Sequence, residues 1–321
     1  IRGVAVTGVQ TCALPILGLK TAIVDKEWLG GVCLNIGCIP TKALLKNADV
    51  ARMLREGSKE FGFSFDNLKL DFPTAVKRSR KVSDRLTRGV SFLMKKNNID
   101  VYMGTGKLTG KNKIAVTDKD NKTEELQAKN IVVATGSHPT AIPGVQVDGQ
   151  TILTYREAIL QEKLPASVII IGAGAIGVEF ATVWASYGAK ITIVEMLPRV
   201  VPLEDEEISS ELEKTFKKNG IEVLTNHRVE SVQKTASGVQ VKVTSEGNEK
   251  VLEAEQALVA IGFRPNSLGI GLEEAGVQLT EKGKYIQVDD RMATNVPGIW
   301  AIGDVTGKLL LAHVASAQAM I

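Results

Sequence analysis

Cysteine, histidine and aromatic side chains are scarce in this chain, which has three cysteines and three histidines in 321 residues, with Phe, Trp and Tyr together at 5%. So few cysteines cannot staple a secreted disulfide scaffold, which points to a reducing compartment, the cytoplasm or a mitochondrial matrix, where cysteine serves chemistry. Cys12 and the histidines His138, His227 and His313 show no paired ligand spacing, so no metal site is expected. No apolar run approaches the roughly 20 residues of a membrane helix. Thr7 and Gln10 interrupt the apolar start and no small-residue cleavage site follows, which argues against a secretory signal. Neither sign of charge dominates, with 39 Lys plus Arg against 36 Asp plus Glu. No stretch interleaves basic with aromatic residues, so nucleic acid is not an expected partner. The basic run Lys77, Arg78, Arg80 and Lys81 reads as the solvated face of a long helix.

What is present suits a soluble globular protein of two domains: 44% of residues are hydrophobic and 23% charged, enough to bury a sizeable core. Residues 20–25, KTAIVD, read as a parallel strand ending in an acid. Helical spacing follows from Cys38, and residues 72–96 form a long amphipathic pattern stopped by Asn97 and Asn98. Residues 101–128 alternate as an antiparallel meander turning at 118–121, and 131–144 is a buried strand ending at Gly and Pro signals. A second strand–glycine turn–helix–strand unit runs over 167–195. After a helix over 205–219 comes another meander within 221–262, then a short strand pair from Lys284, then IWAIGD leading into a helix. Two blocks thus share one plan, each closed by a strand ending in glycine, ATG at 134–136 and AIG at 260–262. The fold class expected is α/β, with two related Rossmann-like nucleotide-binding domains, each with a parallel sheet and an antiparallel meander.

Gly172, Gly174 and Gly177 form G-x-G-x-x-G between an apolar strand and a helix. The first glycine permits the tight turn, the second lets backbone approach a pyrophosphate, and the third lets helix and strand pack closely, with the helix amino end toward the phosphates. Glu195, 18 residues past Gly177, ends the next strand. A carboxylate there accepts from a ribose diol and repels a 2′-phosphate, which favours NAD over NADP. Cys33 and Cys38 sit in GGVCLNIGCIPTK. Five residues of straight helix advance about 7.5 Å, beyond the roughly 6.8 Å limit for bridged Cα atoms. A disulfide therefore needs a bent backbone, for which Gly30, Gly31 and Gly37 supply the freedom. Pro40 suits the first turn of a helix starting near Cys38, whose amino end, with Lys42 one turn on, would stabilise a Cys38 thiolate. On spacing alone, a redox pair and two unpaired buried thiols fit equally well.

The segments GGVCLNIGCIPTK, ATGSHP, GAGAIGVEF with VEMLPRVVP, IGFRPN and AIGDVTGKLLLAHVA resemble, in order and separation, the pyridine nucleotide-disulfide oxidoreductases over residues 17–321. Glu195 and the CLNIGCIP wording are closest to the dihydrolipoamide dehydrogenase branch. Mercuric reductase or another disulfide reductase of the family is the alternative, and a non-catalytic nucleotide-binding fragment stands outside the enzyme class. The resemblance implies an FAD-binding domain over 1–148, an NAD-binding domain over 149–270 and a return to the FAD domain over 271–321. FAD would meet Asp25 at its adenosine ribose, Gly106, Thr135, Gly136 and Ser137 along the dinucleotide, and Asp304 at the ribityl chain. Leu310, Leu311, Ala312 and His313 would begin a helix under the flavin ring. Lys42 would lie by the reactive edge and pair with Glu179. NAD would meet Gly172, Gly174, Gly177, Glu195, Val229 and Gly262. Cys33 would be the interchange thiol and Cys38 the thiol facing the flavin. The implied partners are dihydrolipoamide, free or on the lipoyl domain of a 2-oxoacid dehydrogenase complex, and a second copy in a homodimer. Two departures stand out. Arg2, Val4 and Thr7 occupy the places of the family's first glycine turn and Pro15 falls where its helix should run, so residues 1–16 read as aberrant and Cys12 as incidental. The family's dimerisation domain, with its catalytic His and Glu, is expected beyond Ile321.

Overall fold

A computed structural model describes Gly3–Val4, as backbone, and residues 18–321. Strands β1 (Gly3–Val4) and β2 (Thr21–Asp25) precede helices α1 (Gly31–Asn35), α2 (Cys38–Arg52) and α3 (Phe72–Lys96). β3 (Asp100–Met103), β4 (Thr105–Gly110), β5 (Lys113–Thr117), β6 (Thr123–Gln127), β7 (Ile131–Val133) and β8 (Ser137–Pro139) follow. Next come β9 (Ile152–Leu153), α4 (Tyr155–Ala158), β10 (Ser167–Ile171), α5 (Ala175–Tyr187), β11 (Lys190–Val194), α6 (Glu206–Lys218) and β12 (Glu222–Leu224). A second meander, β13 (Arg228–Thr235), β14 (Gly238–Ser245) and β15 (Asn248–Ala254), leads to β16 (Gln256–Val259), β17 (Phe263–Pro265), β18 (Ile299–Ala301) and α7 (Ala312–Gln318).

Two compact units result. One takes the chain up to Asn35, Asp84–His138 and Phe263–Ile321, and the other takes Ile36–Ser83 and Pro139–Gly262. The first is built on a parallel sheet of order β18-β7-β1-β2-β3 and carries the β4-β5-β6 meander. Ala22 and Val24 of β2 pack with Leu108, Ile114, Val116 and Leu126 of the meander, so the strand buries what the alternating hairpins turn inward. β3 joins the parallel sheet, pairing Ala22 with Asp100 and Val24 with Tyr102, rather than the meander expected over 101–128. Alternation reveals a half-buried strand but not the direction of its neighbour. Val4, expected at a glycine-turn position, instead stands in β1, the central strand, beside Ala22 and Ile131. Arg2, Thr7, Cys12 and Pro15 lie outside the described residues. Downstream, the expected strand pair from Lys284 is reduced to isolated bridges, Leu279 with Ile286 and Ala293 with Trp300.

The second unit repeats the plan, with a parallel sheet β12-β11-β10-β16-β9 and the antiparallel β13-β14-β15. Ile169, Ile170, Ile191 and Ile193 are buried almost completely, each stabilising the sheet by about 1.5–3 kcal/mol. α6 runs as expected, with Asp205 accepting from the Glu207 and Ile208 amides at its start and Lys217 and Lys218 in its last turn. Of the basic run on α3, Lys77, Arg78 and Lys81 are exposed and Arg80 is half-buried; Arg78 also donates to Ala43 O at 3.0 Å and Asn47 Oδ1 at 2.8 Å, tying α3 to α2. No helix among the described residues is long and apolar enough to cross a membrane.

Candidate active site

Cys33 and Cys38 are joined as a disulfide. The bend that permits it is a break between two helices: α1 ends at Asn35, Gly37 takes φ −122° and ψ −120°, and α2 begins at Cys38. Gly30 and Gly31 turn the chain into α1 at φ 92° and 66°, a region costly for residues with a Cβ. Two residues that the sequence reading passed over hold the break in place. Asn35 Nδ2 donates to Leu29 O and Gly31 O at 3.0 and 2.9 Å, while its Oδ1 accepts from Thr87 Oγ1 at 3.0 Å. Thr41 Oγ1 donates to Gly37 O at 2.7 Å. Cys38 is exposed and Cys33 half-buried. Once the pair is reduced, the positive end of the α2 dipole and Lys42 one turn on favour a thiolate at Cys38. Lys42 Nζ reaches Glu179 Oε1 of α5 at 2.6 Å, with the carboxylate the less exposed partner at 24% against 61%.

In the second unit the predicted nucleotide residues gather at the carboxyl ends of β10, β11 and β16, where open α/β sheets bind ligands. Gly172 stands at φ 105° with the Ala260 carbonyl against the place of its missing Cβ, and a Cβ on Gly177 would strike the Gly172 carbonyl oxygen. Glu195 is only 9% exposed. Its Oε2 accepts from Ala173 N–H at 2.7 Å and its Oε1 from Leu197 N–H at 2.9 Å. The carboxylate thus ties the glycine turn to the end of β11 and still has acceptor capacity for a ribose diol. The sequence reading missed the first of these roles. Among the described residues no side chain caps α5 at Gly174, so its first amides are left for a pyrophosphate. The main chain at Asn226 and His227 is tethered to Leu197 and Glu195, which brings β13 and Val229 to the same end of the sheet. Gly262, at φ 107°, closes the other side after β16. These residues fit a dinucleotide.

In the first unit Asp25 ends β2 and its Oδ1 accepts from the Glu27 and Trp28 amides at 2.9 and 3.1 Å. Burial pushes its carboxyl above its ordinary value, against those two bonds. Gly106 of β4 faces Val24, whose Cγ1 would lie 3.1 Å from an added Cβ, so this glycine serves close packing of strand on strand. Thr135 Oγ1 donates to Asn266 O at 2.7 Å, Asn266 Nδ2 returns a bond to Thr135 O at 2.8 Å, and His138 Nδ1 meets Asn266 Oδ1 at 2.7 Å. Ser137 Oγ donates to Asp304 Oδ2 at 2.7 Å. The turn Gly303–Thr306 that carries Asp304 is held by Gln318 of α7, whose Oε1 accepts the Gly303 amide at 2.7 Å. Leu311 is the N-cap of α7, so Leu310, Leu311, Ala312 and His313 do open a helix, and the two leucines are exposed. An acid and a hydroxyl bonded to each other, and exposed leucines at the start of α7, suit the polar chain and apolar ring of a flavin. His227 is engaged elsewhere, its Nδ1 on Thr225 O at 2.7 Å.

Asp304 gives a test free of any ligand. Burial raises its carboxyl, with the Ser137 bond opposing. The native state then holds the proton more tightly than the unfolded chain, and stability falls as pH rises from the ordinary carboxylate value through the raised one. Asp304→Asn removes that cost. Its melting temperature at neutral pH, without flavin, is expected to exceed that of the unmodified chain by on the order of 2 °C, and the gain to fade in acid. A lower melting temperature at neutral pH would contradict this reading.

The chain belongs to the pyridine nucleotide-disulphide oxidoreductase family, whose sequence profile matches residues 4–319. It is 49% identical over 305 residues to a dihydrolipoyl dehydrogenase of Mycobacterium tuberculosis, covering 95% of this chain and 65% of that protein. A dihydrolipoyl dehydrogenase of Bacillus subtilis is 42% identical over 315 residues, covering 95% and 66%. The chain therefore spans just under two thirds of these relatives. Among solved structures it is similar to LpdA from Mycobacterium tuberculosis, with TM-score 0.90 and 29% identity over 99% of this chain and 71% of that one. It is also similar to the HOCl-induced flavoprotein disulfide reductase RclA from Escherichia coli, with TM-score 0.85 and 26% identity over 100% and 70%.

Proposed function

We propose that the chain is the flavin- and nicotinamide-binding part of a dihydrolipoamide dehydrogenase, which oxidises dihydrolipoamide through the Cys33–Cys38 pair and FAD and reduces NAD. The observation that carries this reading is the disulfide opening directly onto α2, with Lys42 one turn on and paired to Glu179. The dihydrolipoyl dehydrogenases at 49% and 42% identity support the lipoamide branch, and Glu195 supports NAD. A thiolate of the substrate attacks Cys33 Sγ, the disulfide breaks, and Cys38 leaves as a thiolate held by the α2 amino end. The second substrate thiol then attacks the mixed disulfide, closing the lipoyl ring and freeing Cys33. Asp25, Gly106, Thr135–Ser137, Asp304 and Leu310–His313 are the residues proposed to hold FAD, and Gly172–Gly177, Glu195, Val229 and Gly262 those proposed to hold NAD. Bound FAD would accept the two electrons of the reduced pair and deliver them to NAD as hydride. Lys42 supplies positive charge one turn from Cys38, and its ion pair with Glu179 draws that charge away from the sulfur. A reducing compartment, the cytoplasm or a mitochondrial matrix, suits a pair that must cycle. The proposed partners are the lipoyl domain of a 2-oxoacid dehydrogenase complex and a second copy of the whole protein.

The discriminating experiment offers the FAD-supplemented protein three couples: dihydrolipoamide with NAD, mercuric ion with NADPH, and glutathione disulfide with NADPH. Turnover with the first well above the other two is expected. Preference for mercuric ion or glutathione disulfide would overturn the lipoamide assignment while leaving the redox pair intact.

A further inference from the structure

α2 does not simply end at Arg52; it passes into a π-helical turn, Met53–Gly57. Counted at about 100° per residue, Arg55, inside this turn, follows Leu44, Ala48 and Ala51 on the buried face of α2. Its Nη1 donates to Ser186 O at 2.9 Å and Ala185 O at 3.3 Å. Those carbonyls lie in the last turn of α5, which closes on a left-handed Gly188 and has no basic residue of its own there. A guanidinium at that point meets the negative end of the helix dipole. The two helices are therefore joined at two levels, Lys42 to Glu179 near the start of α5 and Arg55 at its end. Between these contacts the α2 residues Ala43, Leu44, Ala48 and Ala51 are buried. Apolar packing of this kind resists separation but is not directional, so the polar contacts are what set the slide of one helix along the other.

We propose that Arg55 is a positioning residue that sets the axial slide of α2 on α5 and so keeps the Lys42 ammonium on Glu179 instead of swinging toward Cys38. The proposal deepens the reading of this site given above and rests on it. The readout needs no flavin: the rate at which iodoacetamide alkylates Cys38 in the reduced protein at neutral pH, followed on the Cys38 peptide, with a thermal melt beside it. Release of Lys42 from Glu179 places a cation one turn from Cys38 and raises its thiolate fraction, so Glu179→Gln is expected to speed alkylation by about fivefold. Arg55→Ala should speed it by about two- to threefold, with Arg55→Lys returning most of the way to the original rate. The double variant should be no faster than Glu179→Gln alone, because both changes act through one pair. A purely structural role would lower the melting temperature of Arg55→Ala and leave the rate unchanged. That result, or rate factors that multiply in the double variant, would overturn the inference alone. An unchanged rate in Glu179→Gln would overturn it together with the role proposed for the Lys42–Glu179 pair.

Discussion

Cys38→Ser is expected to abolish the long-wavelength absorption that the reduced, FAD-loaded protein gains on treatment with a dithiol, whereas Cys33→Ser should show that band even before reduction. The asymmetry follows from where the two residues lie. Cys38 is the first residue of α2, with the helix amino end behind it and Lys42 one turn on, so its thiolate is the stabilised one. Cys33 lies in the middle of the five-residue α1, which offers no comparable electrostatic help. Removing Cys33 leaves the Cys38 thiolate in place; removing Cys38 leaves nothing to donate. Either change should lower dithiol-driven NAD reduction by at least about a thousandfold, since each breaks the same exchange step. Absorption spectra of the two variants check the assignment, and equal loss of the band in both would reverse it.

The second large effect concerns Glu195. On the proposed NAD site, a neutral residue there would remove a ribose acceptor and the repulsion toward a 2′-phosphate, so the expected preference for NAD over NADP should narrow by about 1–3 kcal/mol, or roughly 5- to 150-fold. The structure adds a consequence. Because the carboxylate also accepts the Ala173 and Leu197 amides, Glu195→Gln, which keeps one acceptor oxygen, should hold the turn better than Glu195→Ala. The alanine variant should therefore lose affinity for both nucleotides, and the glutamine variant mainly discrimination. Ratios of kcat/KM for the two cofactors measure this, and equal use of both by the unmodified protein would refute it.

The glycine turn at Gly172–Gly177 and its acid were legible because strand, turn, helix and strand follow one another within a few dozen residues, where periodicity and glycine spacing both report. The disulfide was open on spacing alone; the break at Gly37 that permits it shows only once α1 and α2 are seen to be separate helices. What escaped depends on distant pairing. Asn266 meets Thr135 across more than a hundred residues, Gln318 accepts the Gly303 amide, and Asp100–Met103 lies beside β2. No local pattern encodes a neighbour that far along the chain. Arg55 escaped for the same reason: it follows Leu44, Ala48 and Ala51 at helical spacing, but the Ala185 and Ser186 carbonyls it meets lie 130 and 131 residues further along the chain. The repeated plan of the two units was legible as paired blocks, and the sheet orders β18-β7-β1-β2-β3 and β9-β16-β10-β11-β12 give it a strand-by-strand form.

Anaerobic titration of the FAD-supplemented protein with dihydrolipoamide tests the central claim most directly, because it asks whether electrons enter through the cysteine pair. The account predicts that one equivalent of the dithiol opens the Cys33–Cys38 disulfide, that long-wavelength absorption grows while the main flavin band largely persists, and that both cysteines become alkylatable. Bleaching of the flavin with the disulfide still closed, or an unchanged spectrum with FAD bound and both cysteines still protected, would contradict it.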